Sequence, residues 1–172
     1  ACNTISCVAE QLIGALECPI LNVLQSGAQA VARLQPDRVG VISTCFTAQS
    51  GCYPERILRL SPDTQAISRG CPDLADLIER YIDQPGGAGR IDQAIRDNLA
   101  GLEDLDCFLL ACTHYPLAQE NFQRLYPHVQ WLDPAEELAG AVEAFLTEHS
   151  LLNPSPELGR LEIYTTGSAP DY

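Results

Sequence analysis

Short apolar runs alternate with amphipathic stretches along nearly the whole chain of 172 residues. Runs rich in Val, Ile and Leu predict β-strands at 20–23, 39–43, 65–68, 106–110, 129–132 and 161–164. Between them, apolar positions three and four residues apart predict helices at 4–16, 28–34, 73–82, 91–99, 118–126 and 134–147. Alternating strands and helices are typical of a parallel sheet covered by helices on both faces. The pattern therefore predicts an α/β fold.

Proline and glycine mark the interruptions in this pattern. Pro54 predicts a kink or a split in any helix over residues 47–58, because proline removes a backbone donor and crowds the preceding turn. The segments 83–89, with QPGGAG, and 152–159, with NPSPELG, are predicted to be linkers.

The charge of the chain argues against several partner classes. All the basic residues are arginine, and the formal net charge of −13 disfavours binding to nucleic acid or to an anionic membrane surface. The apolar runs are too short to span a bilayer. The eight cysteines lie in apolar runs and motifs without the C-x-x-C spacing of metal sites, which predicts reduced thiols in the cytoplasm.

Two of these cysteines begin similar tripeptides, Cys2-Asn3-Thr4 and Cys112-Thr113-His114. Each lies where a strand or loop is predicted to lead into a helix, whose positive end favours a thiolate and offers N–H groups to a carboxylate. A single cysteine is usually an inert core residue, and Asn or Thr before a helix is often only a cap. The repeated combination of a thiol with hydroxyl, amide and imidazole groups instead favours a paired-thiol active site.

Five segments resemble, in family order, the glutamate racemases of the aspartate/glutamate racemase superfamily. They are ACNTIS (1–6), VGVISTCFTAQSGCY (39–53), CPDLADLIE (71–79), ACTHYPL (111–117) and YTTG (164–167). Aspartate-specific relatives tend to carry Glu at the position of His114 and His at that of Ser6, so both positions are similar to the glutamate enzymes.

The resemblance implies racemisation of L- and D-glutamate by two opposed thiols, one removing the Cα proton and the other returning it. Cys2 and Cys112 are the implied acid/base pair, facing each other unbonded across one cleft, with His114 holding or relaying the Cys112 proton. Glu79 matches a family glutamate that supports the same cysteine. The implied substrate-binding residues are Asn3, Thr4, Thr44, Thr47, Thr113 and His114.

The same resemblance implies a reaction without cofactors, neither pyridoxal phosphate nor a metal, that supplies D-glutamate for peptidoglycan. The chain contains no lysine, the residue that forms the Schiff base with pyridoxal phosphate. The expected partner is a small molecule, glutamate, and not nucleic acid or a membrane. A homodimer is compatible with the sequence, which leaves the oligomeric state open.

Family members have two α/β domains that face a central cleft. Carried over, residues 1–20 and 116–172 form the first domain and residues 21–115 form the second. The family also begins with Asp-Ser-Gly and Pro-Tyr-Gly motifs ahead of the position of Ala1, so we expect a fragment whose first domain is incomplete. This leaves two alternatives open, a non-catalytic scaffold or interaction module, and an isomerase of a related diacid or hydantoin.

Overall fold

The computed structural model describes residues 2–9, 18–155, 159–160, 162 and 164. The predicted strand at 161–164, the YTTG motif at 164–167 and the second half of the predicted helix at 4–16 lie wholly or partly outside these residues.

The centre of the fold is a four-stranded parallel sheet with the order β2-β1-β3-β4. Its strands are β1 (Arg38–Ser43), β2 (Gln65–Gly70), β3 (Cys107–Ala111) and β4 (Gln130–Leu132). The parallel α/β fold predicted from the hydrophobic pattern is therefore confirmed.

Helices cover both faces of this sheet. They are α1 (Asn3–Ala9), α2 (Val23–Leu34), α3 (Cys45–Ser50), α4 (Cys52–Leu60), α5 (Leu74–Tyr81), α6 (Gly87–Leu99), α7 (Gln119–Leu125) and α8 (Pro134–Glu148), with a 3₁₀ helix at Tyr115–Ala118.

Alternate side chains of β3 build two separate hydrophobic cores, as the two-residue period of a strand requires. Leu109 packs with residues of α2 and α4 on one face. Phe108 and Leu110 pack with α5, α6 and α7 on the other. On β1, Gly40 makes room for this packing, because a Cβ atom there would lie 2.3 Å from the Phe108 ring.

Two local predictions are corrected or refined. The run at 20–23 is not a strand, because the Asn22 side chain accepts a hydrogen bond from the Leu24 N–H at 2.9 Å and so begins α2. In the segment 47–58, where a kink or split is expected at Pro54, the chain forms two helices, α3 and α4, that are divided at Gly51, which has a left-handed φ of 69°. Pro54 lies in the first turn of α4, where no backbone donor is lost.

The boundary predicted after residue 115 falls inside one sheet. β4 lies beyond that boundary, yet it pairs in parallel with β3, from Cys107 opposite Gln130 to Leu109 opposite Leu132. α8 also packs along α2. Residues 130–148 therefore belong with the sheet of the second predicted domain, and the division into two domains stays a prediction.

None of the helices within the described ranges combines the length and the apolar content that crossing a bilayer requires.

Candidate active site

The carboxyl ends of the strands bring the predicted site residues to one edge of the sheet. Thr44 directly follows β1, and Cys112 directly follows β3. The residues just before them, Ser43 and Ala111, are paired in the parallel register of the two strands, so Thr44 and Cys112 leave the sheet side by side. In parallel α/β sheets, ligands bind beyond this edge. The first helix, α1, lies at the same edge and contacts α3.

Cys2, Asn3 and Thr4 lie at the start of α1. Cys2 is exposed and unbonded, and its carbonyl accepts the first hydrogen bond of the helix from the Ser6 N–H at 3.0 Å. Asn3 is buried, and its Oδ1 accepts a 2.5 Å hydrogen bond from the hydroxyl of Tyr53 on α4. The tripeptide is thus held by the Cys2 carbonyl within α1 and by the side chain of Asn3 against α4.

Three threonine hydroxyls meet between α1 and α3. The Oγ1 atom of Thr4 lies 3.0 Å from that of Thr44 and 3.3 Å from that of Thr47, and the last two are 3.1 Å apart. Thr44 also caps α3, because its Oγ1 accepts from the Thr47 N–H at 3.3 Å. Three of the six residues predicted to bind substrate therefore form one cluster that also joins α1 to the sheet.

Cys112, His114 and Glu79 form a second group on the opposite face of the sheet edge. His114 Nδ1 lies 4.0 Å from Cys112 Sγ, a long contact for a hydrogen bond to sulfur, and His114 Nε2 lies 3.1 Å from Glu79 Oε2. Glu79 reaches the site from α5, on which its side chain is 73% exposed. The thiol, the imidazole and the carboxylate thus follow one another in space, which is the order that a proton relay requires.

Burial opposes ionisation of Cys112. Only 6% of the residue is exposed, and this burial raises the pKa of its thiol, while the backbone N–H groups of His114 and Tyr115 act in the opposite direction. The backbone donors favour the thiolate, as expected near a helix start, but the loss of hydration outweighs them and the net pKa is raised. A charge on Cys2 raises the pKa of Cys112 as well, so the two thiols lie within electrostatic range.

A cleft of about 170 Å³ joins the two cysteine tripeptides. Asn3 lines it from one side, and Cys112 and the exposed Thr113 line it from the other. Asp133 and the first turn of α8 close a third side. Cys2, the threonine cluster and the His114–Glu79 pair are not part of its lining, so the predicted residues gather around this edge without sharing one wall.

Two neighbours of the site were not predicted from the sequence. Asp133 precedes Pro134, a helix-start signal that marks it as the cap of α8, and its Oδ1 accepts from the Ala135 N–H at 2.9 Å. Tyr53 ends one of the family-like segments, but its contact with Asn3 spans 50 positions and has no local signal. Among the described residues, no group of three or more His, Cys, Asp or Glu side chains is arranged to hold a metal ion.

Comparisons with known proteins agree with this fold. The sequence model of the Asp/Glu/Hydantoin racemase family matches residues 1–142. The chain is 36% identical over 170 residues to a glutamate racemase of Syntrophus aciditrophicus, covering 96% of this chain and 62% of that protein. It is 35% identical over 172 residues to a glutamate racemase of Lactobacillus helveticus, covering 97% of this chain and 63% of that protein.

Solved structures give the same result. A glutamate racemase isoform from Bacillus anthracis superposes with a TM-score of 0.80 at 28% identity, over 89% of this chain and 58% of that one. The glutamate racemase of Francisella tularensis, solved with D-glutamate, superposes with a TM-score of 0.79 at 26% identity, over 90% of this chain and 58% of that one. The chain thus spans about three fifths of the curated relatives that it matches. It belongs to the Asp/Glu/Hydantoin racemase family.

Proposed function

We propose that this protein is a glutamate racemase that moves the Cα proton between two thiols, Cys2 and Cys112. The observation that carries the proposal is the position of Cys112: it lines one cleft together with Asn3, the neighbour of Cys2, and it contacts His114. The names of the relatives support glutamate as the substrate.

The chemistry needs one base and one acid on opposite faces of Cα. One cysteine, as thiolate, takes the Cα proton, and the bonding electrons stay on carbon. The other cysteine, as thiol, gives its proton to the opposite face, so the enantiomer forms and the two thiols exchange protonation states. Because burial raises the pKa of Cys112, its thiol stays protonated in the resting protein and can serve as the proton donor, and His114 can accept its proton when Cys112 must act as base.

The polar groups around the edge are suited to the rest of the substrate. The hydroxyls of Thr4, Thr44 and Thr47 can donate to a carboxylate, and Thr113 and Asn3 face the cleft beside Cys112. Hydrogen bonds to a charged group contribute about 1.5–3 kcal/mol each, enough for two or three to hold a small diacid. We further propose that the D-glutamate is made in the cytoplasm and supplies peptidoglycan.

A circular-dichroism assay on the 172-residue chain tests the proposal. Starting from pure L-glutamate or pure D-glutamate, the signal should decay to zero, since a racemase brings either enantiomer to the same mixture. A variant with serine at both Cys2 and Cys112 is the negative control. Decay in that double variant would contradict the thiol mechanism.

The same assay separates the alternatives. Aspartate and a 5-substituted hydantoin are offered beside glutamate, and faster racemisation of either would reject glutamate as the substrate. A folded chain that leaves every compound unchanged would reject the enzyme assignment and favour a scaffold role.

A further inference from the structure

Tyr53 makes a buried contact with the site that the mechanism above does not use. Its side chain is 1% exposed, and its hydroxyl lies 2.5 Å from Oδ1 of Asn3, which is itself 3% exposed. Both partners are therefore removed from water, where a lost hydrogen bond cannot be replaced by solvent.

The neighbouring helix is shaped around this tyrosine. Gly27 of α2 faces the end of the ring, and a Cβ atom at that position would lie 2.8 Å from Cε1 and 2.9 Å from the hydroxyl oxygen of Tyr53. These distances are too short for any side chain larger than hydrogen. The glycine thus leaves one place for the Tyr53 hydroxyl, against Asn3.

The direction of the hydrogen bond determines which way the Asn3 amide is turned. Burial raises the pKa of Tyr53 far above its ordinary value, so the hydroxyl keeps its proton, and its geometry is that of a donor to Oδ1 of Asn3. The atom that accepts is Oδ1, and the amide NH₂ lies on the other branch of the planar group. Asn3 lines the cleft with Cys112, so the group left for a ligand is a donor.

We propose that Tyr53 is a positioning residue that holds the Asn3 amide with its NH₂ available to a carboxylate oxygen of the amino-acid substrate. The inference rests on the proposed function. The reversed amide would present its carbonyl oxygen to the same carboxylate, and two acceptors repel each other. Tyr53 therefore selects for an anionic ligand group without touching it.

A double-mutant cycle tests this role. Tyr53→Phe removes only the hydroxyl, and we expect it to raise the KM for glutamate about tenfold, the equivalent of one hydrogen bond, with kcat changed less. In a chain that already carries Asn3→Ala, the same change should alter KM by less than about twofold, since the residue through which Tyr53 acts is gone. Tyr126→Phe, which removes a hydroxyl from a half-buried tyrosine beside α7, should leave KM unchanged.

The opposite results overturn the proposal. A tenfold rise in KM from Tyr53→Phe in the Asn3→Ala background would mean that Tyr53 acts independently of Asn3. No rise in the otherwise unaltered chain would mean that the hydrogen bond does not position the amide. Gly27→Ala provides a second variant, because its methyl group must displace the Tyr53 hydroxyl and should raise KM in the same way.

A measurement without turnover separates this inference from the proposed function. In ¹⁵N NMR, the side-chain amide of Asn3 should be ordered on the nanosecond timescale in the unaltered chain and mobile in the Tyr53→Phe variant. Equal order in both chains overturns the positioning role, whether or not the chain racemises glutamate. Lost order in the variant, with no turnover in the unaltered chain, refutes only the proposed function.

Discussion

The carboxylate of Glu79 lies 3.1 Å from Nε2 of His114, although 35 positions separate the two residues. Glu79 comes from α5 and His114 from the loop after β3, so the sheet and its covering helix must both form before the pair exists. The other ring nitrogen of His114 faces Cys112. The contact therefore fixes the orientation of the imidazole beside the proposed acid/base thiol.

Replacing Glu79 should weaken catalysis only modestly. An exposed ion pair contributes up to about 1 kcal/mol, so we expect Glu79→Ala to slow racemisation by up to about fivefold, and Glu79→Gln, which can still hold the ring, by less. Initial rates with L- and D-glutamate measure the effect. Asp76→Ala removes another exposed carboxylate from the same helix and should leave the rates unchanged. A loss of a hundredfold or more in Glu79→Ala would make the carboxylate part of the proton transfer itself.

Asp92 should matter for stability rather than for activity. This residue lies on α6 and is only 9% exposed. Its carboxylate accepts two hydrogen bonds of 2.8 Å from Arg124 and one of 2.7 Å from Asn121. We expect Asp92→Ala to lower the free energy of unfolding by about 1.5–3 kcal/mol in urea denaturation at pH 7. Asp104→Ala breaks an exposed pair with Arg38 and should cost less than about 1 kcal/mol. Equal losses in the two variants would contradict this account.

Buried thiols should make the fold sensitive to alkali. Burial raises the pKa of both Cys71 and Cys107 from 9.0 to about 11. Well below pH 9 both thiols are protonated in the folded and in the unfolded chain, so their contribution to the free energy of unfolding is fully present there. Between pH 9 and about 11 only the unfolded chain ionises, and the free energy of unfolding must fall as the pH rises.

Urea denaturation at pH 8 and at pH 10.5 measures this dependence. Cys107→Ala should flatten part of the fall, whereas Cys18→Ala, at an exposed position, should not. If the free energy of unfolding falls equally between the two pH values in Cys107→Ala and in the unaltered chain, the buried thiols do not cause the fall.

The fold was predictable where local pattern and tertiary role agree. β1 and β3 are apolar runs between turn signals, and burial on both faces requires such runs. The strand predicted at 20–23 was wrong because Asn22, inside this run, caps a helix. Composition alone does not separate a capped helix start from a short strand. The pKa of Cys112 and the contact of Tyr53 with Asn3 depend on neighbours brought in from distant segments, so neither has a local signal in the sequence.

The most direct test of the two-thiol account follows the Cα proton itself. In D₂O, NMR measures the loss of the Cα proton from L-glutamate and, separately, from D-glutamate for the Cys2→Ser and Cys112→Ser chains. Cys18→Ser, at an exposed position, and Cys107→Ser, at a buried one, are the matched controls. Each active-site variant should lose exchange of one enantiomer by at least about a hundredfold, the least that a positioned acid or base contributes, and the two variants should affect opposite enantiomers. Exchange of both enantiomers at the unaltered rate in Cys112→Ser would contradict the account.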